Sequence, residues 1–175
     1  MDRLDIVNGL VFQNLEIYSK DSLSDRIILQ KKIYLFQEMG ADLGYRYNWY
    51  LKGPYSPSLT TFVYDKLEYL QQSTDEFRSY KLTENIEEII QKINSLSDKK
   101  PYDLGLDSWF ELLASIKYIY ENPFLWNVEG DIKIKELIEI IRREKPQFTD
   151  EHCREAINVL TEINLIRDKV EEYGQ

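Results

Sequence analysis

The sequence predicts a mainly α-helical protein that contains a small β-hairpin or sheet. Most of its apolar residues recur at intervals of three and four, which is the spacing of one face of a helix. The segment Tyr45–Leu51 differs, because apolar and polar residues alternate there as they do in a half-buried strand. A length of 175 residues, 43% of them apolar, is sufficient for the core of a compact multi-helix domain.

Two helices are predicted at the start of the N-terminal part, residues 1–98. The first spans Asp2–Tyr18. Its apolar stripe consists of Leu4, Val7, Val11, Leu15 and Tyr18. The second begins after an N-cap at Ser22 or Ser24 and ends at Gly40, which is placed to adopt the left-handed conformation. Because the apolar face of this second helix is wide, we expect it near the centre of the core.

The alternating strand is followed by a turn and two more helices. A Gly-Pro-Tyr turn at residues 53–55 leads to Ser56, a capping residue, and Pro57 occupies the first position of the third helix. The residues Phe77–Leu82 are expected to form a second strand that pairs with the first one. Thr83 is placed to cap a fourth helix.

The C-terminal part, residues 101–175, begins after a polar linker at Ser95–Pro101. Its first helix is predicted over Asp107–Tyr120, where Ser108 and Glu111 have the spacing of a capping box. We expect the N-terminal and C-terminal parts to pack as one globular unit.

The end of the chain has the outline of a winged helix-turn-helix. Helices are predicted at Ile132–Arg143 and Asp150–Ile163, with Thr149 as the cap of the second, and a short strand is predicted at Leu165–Ile166. In DNA-binding proteins of this form the last helix enters a groove. Here that helix carries four acidic side chains and one arginine, so its charge repels phosphates. A winged-helix-like subdomain that packs against the rest of the chain, or that binds a protein partner, fits this charge better than DNA binding does.

Residues that catalyse reactions or bind metals are scarce. The only histidine and the only cysteine, His152 and Cys153, are neighbours on a predicted helix, and side chains so placed point about 100° apart. They cannot comfortably share a metal ion. We interpret Cys153 as a small core residue and His152 as a solvated residue of the first helical turn. Since nucleophile and phosphate-loop motifs are also absent from the sequence, we expect a protein without enzymatic activity, metal or cofactor.

The composition also limits which kinds of partner and which cellular compartment we expect. A net charge of −9 and a pI near 4.8 argue against a surface for nucleic-acid phosphates. The 13 tyrosines suit a half-exposed interface, because tyrosine combines an apolar ring with a polar tip. A single cysteine excludes an internal disulfide and indicates a reducing cytoplasm. No apolar run reaches the roughly 18 residues that a membrane span requires.

The turn between the first strand and the third helix is the strongest candidate for a binding site. A helix that begins after Ser56 presents free backbone N–H groups beside Lys52 and Ser58, which can hold an anion or a carboxylate. Alternatively, the turn only sets the angle between strand and helix and satisfies its own cap. Tyr50 and Tyr55 favour contact with a peptide or protein over contact with a phosphate. The candidate partner-binding residues are Lys31, Tyr34, Trp49, Tyr50, Lys52, Gly53, Pro54, Tyr55 and Ser56.

Four segments that together span most of the chain resemble a known family. They are L-Q-K-K-I-Y-L-F-Q-E at 29–38, Y-N-W-Y-L-K-G-P-Y-S-P-S-L at 47–59, W-F-E-L-L-A-S-I at 109–116 and K-P-Q-F-T at 145–149. They are similar to the small YwgA-like proteins, which in turn are similar to the Panacea-domain proteins and their SocA-like antitoxins. The resemblance implies a mostly helical domain without a cofactor. It also implies an antitoxin that neutralises a toxin, or an adaptor that delivers a toxin for degradation.

We therefore expect a cytoplasmic, non-enzymatic protein–protein interaction module that is antitoxin-like, regulatory or defence-associated. Its expected partner is another protein, such as a toxin or a defence effector, and a homodimer is also compatible with the sequence. Nucleic acid is a disfavoured partner, and no membrane is involved. The alternative function is that of a winged-helix DNA-binding transcriptional regulator.

Overall fold

The computed structural model describes residues 1–167, in which helices surround one short hairpin. The α-helices are α1 (Arg3–Asn14), α2 (Leu23–Glu38), α3 (Pro57–Gln72), α4 (Glu84–Ser95), α5 (Leu106–Glu121), α6 (Ile134–Glu144) and α7 (Asp150–Glu162). The strands, β1 (Asn48–Tyr50) and β2 (Gly53–Tyr55), form an antiparallel pair. Short 3-10 segments lie at Thr74–Phe77, Leu96–Lys99 and Pro123–Trp126. These elements confirm the predicted fold class, a mainly α-helical domain with a small β-hairpin.

Helices α5 and α2 form the centre of the fold. Residues Trp109–Ile119 of α5 are all buried, and α5 contacts α2, α6, α7 and β2. Residues 29–36 of α2 are also all buried, which confirms the central position predicted for this helix. The sequence pattern gives α5 only one apolar side, whereas the structure buries it on every side. Its polar residues Glu111, Ser115 and Lys117 are therefore buried as well, and buried polar groups normally require partners inside the protein.

Most of the side chains predicted to cap a helix do so in the structure. Ser22 and Asp25 form a capping box at the start of α2, in which Ser22 Oγ accepts a hydrogen bond from Asp25 N at 3.0 Å. Ser56 caps α3, with Leu59 N donating to its Oγ at 3.3 Å. Gly40, with φ +103°, follows the end of α2 in the left-handed region. Two further predicted caps are confirmed, Thr83 on α4 and Thr149 on α7.

The buried face of α1 differs from the predicted apolar stripe. The exposed members of that stripe are Leu4, Val7 and Tyr18. Asp5 and Asn8 are buried instead, because neighbouring elements provide polar partners for them. Asp5 forms a salt bridge of 3.2 Å with Lys66 of α3, and Asn8 Oδ1 accepts a hydrogen bond of 2.9 Å from the Tyr45 hydroxyl. Val11 and Leu15 are buried as predicted, and the rest of the stripe was wrong because periodicity does not detect these long-range partners.

Two predicted strands are not formed. The segment Phe77–Leu82 follows a 3-10 turn with irregular backbone, and β1 pairs with β2 instead. At Leu165–Ile166 both backbone N–H groups donate to Leu160 O, at 2.9 and 3.3 Å, so the chain folds back onto the end of α7. Asn164 permits this reversal through its left-handed φ of +62°. The described residues therefore do not confirm the winged-helix form of the C-terminal part.

The predicted linker is part of the packed structure. Leu96 is buried, and its carbonyl accepts a hydrogen bond from Trp109 Nε1 at 2.8 Å. Helix α5 begins at Leu106, so Ser108 lies inside it and the predicted capping box with Glu111 is wrong. One apolar core includes residues from both the N-terminal and the C-terminal part.

The hairpin closes through a two-residue loop, Leu51–Lys52, between the paired residues Tyr50 and Gly53. Gly53 has φ +89°, a left-handed conformation that other L-residues adopt only with strain. In addition, a Cβ at this position would lie 2.4 Å from Ser115 Oγ on α5. Both the backbone conformation and the close approach to α5 therefore require glycine.

We expect Gly53→Ala to lower the free energy of unfolding by about 2–4 kcal/mol, because it adds a collision with Ser115 to the backbone strain. Gly44→Ala is the matched control: Gly44 has φ +87° and a Cβ added there would meet nothing within 4 Å, so only the backbone cost of about 1–2 kcal/mol applies. Urea denaturation followed by circular dichroism measures both losses. Equal losses, or no partial recovery when Ser115→Ala is added to Gly53→Ala, would contradict the steric explanation.

Candidate functional site

The predicted site residues meet around the hairpin, where their exposure divides them into two groups. The buried group comprises Lys31, Tyr34, Gly53, Pro54 and Ser56. The exposed or half-buried group comprises Trp49, Tyr50, Lys52 and Tyr55. A partner can reach only the second group directly, while the first group contacts the helices beneath the hairpin.

Two neighbouring side chains of α2 bind the backbone of β2 and of the turn that follows it. Lys31 Nζ donates a hydrogen bond to Pro54 O at 2.6 Å. The Gln30 side chain accepts a hydrogen bond from Ser56 N and donates one to Ser56 O, each at 3.0 Å. These bonds satisfy buried backbone groups that a hairpin of this length cannot pair by itself.

A buried ion pair binds the loop of the hairpin. Lys145, which directly follows α6, places its Nζ 2.8 Å from Glu111 Oε1 on α5, and the two side chains are 4% and 5% exposed. The same ammonium donates to Leu51 O at 3.2 Å and lies 5.3 Å from the centroid of the Trp49 ring, in a cation–π contact. Three parts of the chain that are far apart in sequence are thereby joined at one ammonium group.

Burial alters the protonation of a lysine beneath the hairpin. Burial lowers the pKa of Lys31 to about 7, since the charged ammonium is poorly solvated there. The Glu111 carboxylate raises the pKa of Lys31, whereas the Lys145 and Lys52 ammonium groups lower it further. Lys31 thus interacts electrostatically with one buried carboxylate and with two other lysines.

An aromatic cluster fixes the position of β1. The Trp49 ring lies 5.0 Å from the Trp126 ring at 85°, and 5.7 Å from the ring of Tyr118 on α5. Tyr34 of α2 lies 6.2 Å from Tyr118 and 5.1 Å from Tyr47. Such edge-to-face and tilted contacts add to the stabilisation that burial alone provides. Burial also raises the pKa of the Tyr34 phenol well above its ordinary value, so this hydroxyl stays neutral.

The outer side of the hairpin is exposed and largely apolar. Tyr50 is 62% and Leu51 84% exposed, and Tyr50 stacks on Tyr55 with ring centroids 5.5 Å apart. We define the hairpin surface as Tyr50, Leu51, Lys52 and Tyr55.

Sequence reasoning missed several residues of this region. They are Gln30, Glu111 and Lys145 beneath the hairpin, and Leu51 in its loop. No local pattern relates Lys145 to Leu51, because 94 positions separate them.

The Gly-Pro-Tyr-Ser turn satisfies its own backbone groups. Ser56 is fully buried, its N–H is bound to Gln30, and its Oγ accepts a hydrogen bond from Leu59 N. These contacts favour the structural interpretation of the turn over the binding of an anion at the start of α3.

His152 is buried rather than solvated, which corrects the prediction. Its Nδ1 accepts a hydrogen bond from Thr149 N at 3.2 Å, so Nε2 carries the proton and donates it to Asp103 Oδ2 at 2.8 Å. With both ring nitrogens engaged, neither is free to take a proton from a nucleophile. Cys153 is buried in the core, as predicted, and burial raises the pKa of its thiol to about 11. Within residues 1–167, no group of three or more His, Cys, Asp or Glu side chains is arranged to hold a metal ion.

Comparisons with protein families, with curated proteins and with solved structures find no match to this chain. Among the described helices, none combines the length and the apolar character needed to cross a bilayer.

We expect Lys31 to make stability depend on pH. In the unfolded chain a lysine has a pKa of about 10.4, and the folded pKa of Lys31 is about 7. Between these values the unfolded chain binds more protons than the folded one, so the contribution of Lys31 to the free energy of unfolding rises with pH. Urea denaturation at several pH values between about 6 and 10 should show this rise in the wild type but much less of it in Lys31→Met.

The exposed residue Lys99 offers a matched control for this pH dependence. Lys99→Met should keep the wild-type dependence, because the Lys99 side chain is exposed and its removal leaves Lys31 in place. If Lys31→Met and wild type show the same slope, burial does not destabilise the Lys31 ammonium.

We expect Lys145→Met to lower the free energy of unfolding by about 3–5 kcal/mol, since it leaves the Glu111 carboxylate buried without its partner. The double variant Lys145→Met/Glu111→Gln should lose clearly less than the sum of its two single variants, because neither charge then remains. The exposed pair Lys92–Glu88, at 3.0 Å, is the control: Lys92→Met should cost at most about 0.5 kcal/mol. Additive losses at Lys145 and Glu111 would contradict the coupling.

Proposed function

We propose that this protein is a non-enzymatic protein–protein interaction module, antitoxin-like or regulatory, that binds its partner through the hairpin surface. The observation that carries the proposal is the exposure of Leu51 and Tyr50 on a hairpin whose inner side is bound by buried side chains. A large apolar residue that is 84% exposed at the tip of an anchored loop gains free energy when a partner covers it.

The fixed position of the hairpin also supports the proposal. Interface residues that are already held in place lose less conformational entropy on binding, so more of the contact energy contributes to affinity. The Tyr50–Tyr55 stack and the Trp49–Trp126 contact restrict the hairpin surface in this way. Tyrosine is also a frequent anchor in protein interfaces, because its ring and hydroxyl bind both apolar and polar groups.

The resemblance to YwgA-like and Panacea-domain proteins makes a toxin or a defence effector the first partner to test. In that proposal the protein neutralises its partner by binding, or delivers it for degradation, in the cytoplasm. A role as a homodimer is compatible with the same surface.

DNA binding is the less supported alternative. Arg142 and Arg154 both contact Asp150 at the start of α7, at 3.8 and 2.8 Å. Their charge is therefore partly neutralised within the protein, which weakens attraction to phosphates. A gel-shift assay with genomic fragments at low salt tests this alternative, since a binder driven by phosphate contacts is strongest there.

We expect Tyr50→Ala and Leu51→Asp to abolish partner capture from the native host while the protein stays folded. Both side chains are largely exposed, so their replacement removes binding contacts but few internal ones. Affinity purification of the tagged full-length chain, followed by mass spectrometry, identifies the captured partner, and circular dichroism verifies folding. Tyr55 contacts Thr60 and Tyr50 within the protein. We therefore expect Tyr55→Ala to weaken partner capture less than Tyr50→Ala does.

Tyr102→Ala is the matched control, since Tyr102 is a tyrosine that is 99% exposed outside the hairpin surface. This variant should capture the same partner as the wild type. Identical capture by wild type, Leu51→Asp and Tyr102→Ala would place the interface elsewhere and refute the proposal.

A further inference from the structure

The segment that joins α3 to α4, residues 74–82, is held against α1 by one buried side chain. Phe77 is 4% exposed and Leu82 is half-buried, whereas every other side chain of the segment is exposed. The 3-10 turn that contains Phe77 packs on α1. We call residues 74–82 the strap.

Phe77 inserts the tip of its ring into a notch on α1 that only glycine leaves open. A Cβ added to Gly9 would lie 2.3 Å from Phe77 Cζ and 2.8 Å from Phe77 Cε2, which are atoms at the far end of the ring. Next to the ring, a cavity of about 350 Å³ lies between α1 and α3, and its lining includes Phe12, Leu67 and Leu70. The strap therefore borders an apolar groove, and Phe77 is its main contact there.

The polar contacts of the strap are local. The backbone N–H groups of Glu76, Arg78 and Tyr80 donate to the carbonyl groups three residues earlier, at 3.0, 3.4 and 2.9 Å. The Arg78 guanidinium pairs with Asp75 at 2.9 Å. Within the described part of the chain, no hydrogen bond or salt bridge joins the strap to another helix. An open strap can keep its local bonds, so opening loses mainly the burial of one aromatic ring.

We propose that the strap is a lid that opens as a local unit while the helices stay folded, and that its opening uncovers the groove between α1 and α3. A segment with few buried contacts opens at a lower free energy than the whole domain. Burial of one phenylalanine side chain corresponds to a factor of about 10 to 100 in the equilibrium between the closed and the open strap. The lid does not involve the hairpin surface, so it stands independently of the function proposed for that surface.

Proteolysis of the full-length protein by trypsin tests the local opening. Trypsin cleaves after lysine and arginine, and Arg78 and Lys81 lie in the strap directly after Phe77. We expect the rate of cleavage at these two sites, followed by mass spectrometry, to stay nearly constant as urea rises to just below the unfolding transition. A local opening exposes little surface, so urea promotes it weakly. A rate that rises with urea in parallel with global unfolding would overturn the lid.

Two substitutions test whether the ring in the notch keeps the strap closed. Phe77→Ala should raise the rate of strap cleavage by about 10- to 100-fold. Gly9→Ala should raise it as well, because the added methyl group collides with the ring, although alanine favours a helix more than glycine does. The double variant Gly9→Ala/Phe77→Ala should be cleaved no faster than Phe77→Ala, since the ring is then already absent.

Phe124→Ala is the matched control, since Phe124 is a phenylalanine of another 3-10 segment and is 66% exposed. It should change the rate of strap cleavage by less than about twofold. An unchanged rate in both Phe77→Ala and Gly9→Ala would overturn the role of the ring. Faster cleavage accompanied by loss of the helical circular dichroism signal would overturn the local character of the opening.

Binding of an anilinonaphthalene sulfonate dye, which fluoresces on exposed apolar surface, tests whether the groove is uncovered. Its fluorescence should rise with Phe77→Ala and with Gly9→Ala, but not with Phe124→Ala. Faster cleavage of the strap without a rise in dye fluorescence would show that the opening leaves the groove covered, and would overturn that part of the proposal.

Discussion

The position of the hairpin depends on hydrogen bonds from buried lysines to its backbone. Strands of three residues are too short to be stable in isolation, so the pair needs contacts outside itself. Lys31 from α2 and Lys145 from the end of α6 donate to carbonyl oxygens on the two sides of the loop. Burying two ammonium groups is costly, and the Glu111 carboxylate on α5 offsets only part of that cost. The arrangement fixes the position of the hairpin on the helices. The buried charged groups have their hydrogen-bond and ion-pair partners only when α2, α5, α6 and the hairpin are all in place.

This geometry separates the structural role of the hairpin backbone from the binding role that we propose for its loop side chains. The backbone of the hairpin faces inward, where its carbonyl groups are bound, and its loop side chains face outward. In the proposed function, sequence changes at Tyr50, Leu51 or Lys52 alter the side chains that face the partner without disturbing the core.

Local signals in the sequence predicted the parts of the fold that depend on local chemistry. Ser22, Ser56 and Gly40 mark helix ends by bonds or backbone angles within a few residues, and these predictions are confirmed. The predictions failed where contacts between residues that are far apart in sequence determine the structure. Glu111 has the spacing of a capping box but pairs with a lysine 34 positions later, and His152 is buried because Asp103 contacts it. Likewise, the turn and the tyrosines of the candidate site can be identified from the sequence, but which of these residues are buried depends on α2 and α5.

The burial of Cys153 has a practical consequence for spectroscopy. Alkylating reagents react with the thiolate, and a thiol that is fully buried, with its pKa raised to about 11, forms little thiolate at neutral pH. A second cysteine introduced at an exposed position would therefore be modified selectively by a maleimide dye. Fluorescent or spin labels can thus be attached to the otherwise unaltered chain, with its own cysteine left in the core.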